Sequence, residues 1–205
     1  MTVALIDYGA GNVPSVERAL ERLGASSRRL AVPGDLANAR AIILPGVGHY
    51  AAIIRALDSQ NLRAPLLAAI GRGVPFLGIC LGLQALFASS EEAPDLSGLG
   101  LASDSVKSLP RGVKLPHMGW NRLRIVKPSR LLAGLGESDY FYFAHSFAAE
   151  SSEHAVATCD YGTSFTAVLE KHNVFATQFH PEKSGAAGAR LLGNFLRACG
   201  MRASE

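Results

Sequence analysis

Pro75-Phe76-Leu77-Gly78-Ile79-Cys80-Leu81-Gly82 decides the fold. Pro75 to Ile79 is an apolar run short enough for a strand buried on both faces. From Leu81 to Phe87 a helical pattern begins with no intervening loop. A cysteine between glycines at such a strand-to-helix junction would stand on a sharp turn above the sheet edge. Upstream the same alternation recurs. Val3 to Ile6 reads as a strand, and Asn12 as the cap of a helix with Pro14 in its first turn, running to Leu23 and ended by Gly24. Ala41 to Leu44 is a strand cut by Pro45-Gly46, and Tyr50 to Leu57 and Pro65 to Ile70 are helical. Apolar strands alternating with helices predict an α/β fold, a mostly parallel central sheet with helices on both faces.

Downstream the pattern changes. Gly119 to Val126, Tyr140 to Phe147, Ala155 to Cys159, Phe165 to Leu169 and Val174 to Phe179 read as strands. Gly162 and Lys171-His172-Asn173 are hairpin turns, so this half adds an antiparallel, strand-rich portion. Ser89 to Gly100 reads as a loop, Ala186 to Cys199 as a final helix, and the residues after Gly200 as a frayed tail. The 205 residues fit a single domain, 1–205, with 48% apolar residues to fill its core.

Composition narrows the function classes. The net charge is only +3, and Arg28-Arg29 is the one adjacent basic pair, which disfavours a nucleic-acid partner. No apolar segment is long enough for a membrane span, and Met1 to Asp7 reads as a core strand, not a leader. The three cysteines, Cys80, Cys159 and Cys199, have neither metal-ligand spacing nor an even count, which suits a reducing, cytoplasmic setting.

Three segments carry chemistry. In Gly78-Ile79-Cys80-Leu81-Gly82 the following helix start favours a thiolate, and the Leu81 N–H would face an oxyanion. These five residues alone fit an inert buried cysteine equally well. Gln178-Phe179-His180-Pro181-Glu182-Lys183-Ser184 closes an apolar strand with a base and, two residues on, a carboxylate that can orient it. Alone, it also fits a polar surface turn. Pro45-Gly46-Val47-Gly48 can turn a peptide N–H toward a ligand, or simply join a strand to a helix.

Together, in this order, the three segments resemble the class I (triad-type) glutamine amidotransferases. Ile6-Asp7-Tyr8-Gly9-Ala10-Gly11-Asn12 with Ser15-Val16, Pro116-His117-Met118-Gly119-Trp120-Asn121 and Tyr142-Phe143-Ala144-His145-Ser146-Phe147 are similar to the glutaminase subunits of imidazole glycerol phosphate synthase. The resemblance spans essentially the whole chain and implies a flavodoxin-like sheet. It implies Cys80, His180 and Glu182 as the triad, with Leu81, Gly46, Val47 and Gly48 as the oxyanion hole. Gln84, one turn beyond Cys80, would bond glutamine, helped by His145, Ser146 and Phe147. Pro116, His117, Met118, Trp120, Asn121, Tyr142 and Lys183 would face the partner.

The implied partner is a (β/α)8-barrel cyclase, in a heterodimer through which ammonia passes. There it would convert a phosphoribulosyl-formimino aminoimidazole carboxamide ribonucleotide to imidazole glycerol phosphate and the aminoimidazole carboxamide ribonucleotide in histidine biosynthesis. No metal or organic cofactor is implied. Leu83 stands where a methionine is usual and Phe147 where a tyrosine is commoner, and Ala88-Ser89-Ser90-Glu91-Glu92 begins less acidic than the family pattern. A glutaminase serving anthranilate, pyridoxal phosphate or guanylate synthesis is the nearest alternative. A non-catalytic scaffold on the same fold is a more distant one.

Overall fold

The computed structural model describes residues 2–201 apart from Ala10, Ala31 and Ser151, so the expected frayed tail lies, beyond Met201, outside the described residues. The first half contains β1 (Thr2–Ile6), α1 (Val13–Arg22), β2 (Ser26–Leu30), β3 (Ile42–Gly46), α2 (Tyr50–Ser59) and α3 (Arg63–Gly71). Next come β4 (Phe76–Cys80), α4 (Leu81–Gln84), β5 (Phe87–Ser90) and β6 (Ala102–Ser108). The rest comprises β7 (His117–Arg122), β8 (Arg124–Ile125), β9 (Tyr140–His145), β10 (Phe147–Ala149), β11 (Ala155–Asp160), β12 (Ser164–Lys171), β13 (Val174–Thr177) and α5 (Gly185–Ala198).

Eight strands form the central sheet, in the order β2-β1-β3-β4-β13-β12-β11-β8. Pairing is parallel from β2 to β13 and antiparallel from β13 to β8. The core lies on both faces, because side chains alternate along each strand. Val3, Leu5, Ile43, Leu77 and Ile79 pack with Val16 and Leu20 of α1 and Leu192 and Phe195 of α5. Ala4, Ile6, Ile42, Leu44 and Phe76 pack with Ile53, Ile54 and Leu57 of α2 and Leu66 of α3. Each such fully buried branched side chain contributes about 1.5–3 kcal/mol. The expected α/β sandwich with an antiparallel extension is therefore the architecture found.

Several expected bounds differ. The helix expected over Leu81 to Phe87 stops at Gln84, and Phe87–Ser90 becomes a strand paired with β6. Leu86-Phe87 is an apolar pair that periodicity assigns to either type. The loop expected from Ser89 therefore begins inside β5. Two further strands were not expected, β2 and β6, because they bury so little: of Ser26–Leu30 only Leu30 is buried, and of Ala102–Ser108 only Ala102 and Val106. Backbone pairing, not side-chain pattern, holds them. β2 closes one edge of the sheet with Arg28 and Arg29, charges that discourage further strand addition. The single strands expected over Gly119 to Val126 and Tyr140 to Phe147 each divide between two sheets, at Leu123 and Ser146. The strand expected to reach Phe179 ends at Thr177.

Candidate active site

Strand order puts the chemistry-bearing segments side by side. In the β3–β4 register Gly46 lies opposite Cys80, and in the β13–β4 register Thr177 lies opposite Ile79. The loop after β3, the cysteine ending β4 and the histidine following β13 therefore meet at one carboxyl edge of the sheet, where open α/β sheets hold ligands.

Cys80 has φ 54° and ψ −105°, a left-handed conformation that costs a side-chain-bearing residue about 1–3 kcal/mol. Packing imposes it. A Cβ on Gly82 would lie 2.0 Å from the Leu44 carbonyl oxygen, and one on Gly78 2.6 Å from the Gly82 carbonyl oxygen. These glycines let α4 press onto the strands and lift Cys80 over the edge. Since α4 has only four residues, the helix-dipole support expected for the sulfur is small.

His180 follows β13 and is tied down by its backbone. Its N–H donates to the Tyr142 carbonyl (2.9 Å), and its own carbonyl accepts the Ser184 hydroxyl (2.6 Å). Its Nδ1 lies 2.9 Å from Glu182 Oε1, with both side chains almost wholly buried. That leaves the ring's Nε2 for Cys80, which lines the same cleft. Asn12 was expected to cap α1. Its side chain makes no capping bond and instead donates to Glu182 Oε1 at 3.3 Å.

Burial works against the charged imidazole of His180. Attraction and hydrogen bonding to Cys80, then to Glu182, outweigh it and raise the pKa to about 10. The folded chain thus keeps a proton that the unfolded chain releases near the ordinary 6.5. This stabilisation is fully present below about pH 6.5 and is lost as pH rises through about 10. Imidazole NMR titration is expected to show His180 still protonated at pH 8, with Cys80→Ala lowering its midpoint. An unshifted midpoint in Cys80→Ala contradicts the pairing.

A cleft of about 570 Å³ opens over these groups. It is lined by Cys80, Leu81, Val47, Gly48, Gln84, His180 and the Ala144-His145-Ser146-Phe147 wall. Pro116 and Lys183 stand at it too, with Gly11, Asn12 and Glu92. Gly46 does not line it; a Cβ there would lie 2.6 Å from Leu81 Cβ, so that glycine serves close packing. Gln84 Nε2 already donates to the Phe147 carbonyl (2.7 Å) and to Gln178 Oε1 (3.2 Å), leaving Oε1 as the atom it can offer a ligand. The His145 ring is likewise engaged within the protein, at the Phe147 carbonyl and at His117.

Two groups at the site went unnoticed in the sequence. Gln178 donates to Cys80 Sγ at 3.7 Å, and Glu92 accepts the Tyr50 N–H at 2.7 Å while facing the cleft. Gln178 is betrayed only by its polarity within the apolar run Val174 to Phe179, whereas Glu92 looks like any loop carboxylate. Met118, Trp120, Asn121 and Tyr142 lie outside the cleft on the β7–β9 ribbon, where Trp120 pairs with Tyr142. Met118 is 64% exposed and Trp120 55%. Lys183 Nζ sits 5.7 Å from the Tyr142 ring centre. Among the described residues no three His, Cys, Asp or Glu side chains gather as metal donors, and no helix is long and apolar enough to cross a membrane.

Fold and site together define a class of enzyme. The family model described as glutamine amidotransferase class-I matches residues 4–199, and the chain belongs to that family. A solved structure described as a glutamine amidotransferase superposes with a TM-score of 0.77 at 21% identity, covering 97% of this chain and 99% of its own. PurLQS from Thermotoga maritima gives 0.76 at 20%, covering 96% and 98%. At that identity they speak to the fold alone.

Curated relatives go further. The imidazole glycerol phosphate synthase subunit HisH of Methanothermobacter thermautotrophicus is 49% identical over 195 residues, covering 95% of this chain and 97% of the relative. That of Salinibacter ruber is 42% identical over 200 residues, covering 93% and 92%. The chloroplastic hisHF of Arabidopsis thaliana is 44% identical over 200 residues, 95% of this chain but 34% of that longer protein. Within the class, this chain belongs with the HisH subunits.

Proposed function

We propose that this chain hydrolyses glutamine to glutamate and ammonia as the glutaminase subunit of imidazole glycerol phosphate synthase, with Cys80, His180 and Glu182 as its triad. The observation that carries the reading is the buried His180–Glu182 pair set beside Cys80 at the ends of neighbouring strands.

Glutamine binds in the cleft with its side-chain amide over Cys80. The sulfur attacks the amide carbon, and the oxyanion draws on the Leu81 N–H and on a peptide of the Val47-Gly48 loop, each donor worth about 3 kcal/mol of barrier. The protonated His180 passes its proton to the leaving nitrogen, the C–N bond breaks, and a γ-glutamyl thioester remains with ammonia released. Glu182 holds the ring with Nε2 toward the reacting atoms. Water, deprotonated by His180, then frees glutamate.

Ammonia released in water is soon protonated, so it must be handed on. The receiver in this reading is the (β/α)8-barrel cyclase, docked on the exposed apolar face of Met118 and Trp120, with Pro116 and Lys183 at the mouth of the cleft. Mixing the chain with a cyclase subunit and its nucleotide substrate is expected to raise glutamate release well above that of the chain alone, and to couple it to imidazole glycerol phosphate formation. Equal glutamate release with and without the cyclase contradicts the activation.

A further inference from the structure

Two neutral-looking histidines outside the triad are joined in a chain whose direction is fixed at both ends by backbone groups. At one end the Asn121 amide is oriented twice over. Its Oδ1 accepts the Arg122 N–H at 2.8 Å, and its Nδ2 donates to the Asp160 carbonyl at 3.3 Å. The second Nδ2 hydrogen then points at His117 Nε2, 3.4 Å away, which makes that nitrogen an acceptor. At the other end His145 Nδ1 lies 2.9 Å from the Phe147 carbonyl oxygen, which can only accept, so Nδ1 carries the hydrogen. Between them His117 Nδ1 lies 3.0 Å from His145 Nε2. With Nε2 of His117 accepting, its Nδ1 must donate, and His145 Nε2 receives.

We infer that Asn121, His117 and His145 form a one-way hydrogen-bond relay that holds the Ser146 corner of the glutamine cleft, making Asn121 and His117 positioning residues for glutamine hydrolysis. The corner is where the chain leaves β9 for β10 in another sheet, and its residues wall the cleft. The His145 ring spans that corner to the Phe147 carbonyl, which also accepts Gln84 Nε2. Gln84 bonds Gln178, and Gln178 reaches the Cys80 sulfur, so the held carbonyl belongs to the network around the nucleophile.

The surroundings suit rings that stay neutral. His117 is stacked between Tyr161, at 3.9 Å between ring centres, and Phe143, at 4.8 Å. Burial lowers the pKa of His117 to about 4 and, more strongly than the opposing Phe147 carbonyl bond, that of His145 to about 3. A proton added to His145 Nε2 would meet the His117 Nδ1–H at the 3.0 Å contact, and one added to His117 Nε2 would meet the Asn121 amide hydrogen at the 3.4 Å contact.

The inference deepens the glutaminase reading and rests on it for its activity test; a second arm needs no activity. Side-chain nitrogen NMR of the full chain, labelled at its six histidines, is expected to show His117 and His145 both neutral with hydrogen on Nδ1 at pH 7, the tautomer water disfavours. Hydrogen on Nε2 of either ring overturns the relay. In the kinetic arm, His117→Phe keeps the stacking and removes the donor. It should raise the glutamine KM about tenfold with a smaller change in kcat. His117→Asn, whose amide N–H takes the place of Nδ1–H, should recover most of that loss. An unchanged KM in His117→Phe, or His117→Asn as impaired as His117→Phe, also overturns it. If His117→Phe fails to fold, the spectrum of the unaltered chain decides. If the unaltered chain hydrolyses no glutamine, the glutaminase reading fails and the spectrum still judges the relay.

Discussion

Cys80→Ala is expected to lower kcat for glutamine hydrolysis by roughly 10⁶-fold, to the background rate, without unfolding the chain. No other sulfur can take over. Cys159 and Cys199 stand on β11 and just after α5, away from the cleft, and burial pushes both thiols up to about 12. Neither offers a nucleophile near neutral pH. The fold survives because the side chain lost is small and the glycine packing that sets the turn stays in place. Ammonia supplied from solution bypasses the missing step. A complex of the variant with the cyclase should therefore still form imidazole glycerol phosphate from ammonium salt. Loss of that activity as well would trace the defect to structure instead of to the nucleophile. Steady-state glutamate release, with and without ammonium, makes both measurements.

Glu182→Gln should cost about 10⁴-fold in kcat with little change in glutamine KM. The carboxylate does two things through one atom. Oε1 accepts from His180 Nδ1 and from Asn12 Nδ2, which fixes the ring's tautomer and balances its charge. An amide of the same shape can keep one of those contacts but not the charge, so the imidazolium formed during turnover is poorly stabilised. Oε2 is buried with no hydrogen-bond partner among the described residues, so an amide nitrogen in its place would lack an acceptor among them, and a modest loss of stability should accompany the kinetic one. A Glu182→Gln chain with kcat within tenfold of the original would remove Glu182 from the catalytic role. Thermal unfolding beside the kinetics separates the two losses.

How much of this could be read in the sequence depends on whether a segment's role is carried by its own residues. Val3–Ile6, Ile42–Leu44 and Phe76–Ile79 are apolar because both faces of each strand are covered, so composition alone marks them. Cys80, His180 and Glu182 lie in short motifs whose order along the chain matches their meeting in space. Ser26–Leu30 and Ala102–Ser108 were opaque because edge strands held by backbone pairing carry little side-chain signal. The α4 boundary was missed because Leu81 and Leu83 on one side and Leu86 and Phe87 on the other carry apolar side chains across the change from helix to strand. Asn12 shows the limit of local rules. Its position is that of a cap, but a carboxylate 170 residues away in the chain claims its amide. The His117–His145 contact is of the same kind, set by the register of β7 on β9, which the sequence does not display.

In the proposed reaction Cys80 carries the acyl group of glutamine between the two half-reactions. Intact-mass and peptide mass spectrometry of the chain, acid-quenched during turnover with glutamine, tests it most directly. A γ-glutamyl adduct is expected on the peptide containing Cys80 and is expected to be absent from Cys80→Ala. An adduct on Cys159 or Cys199, or glutamate released by Cys80→Ala at the original rate, would contradict it.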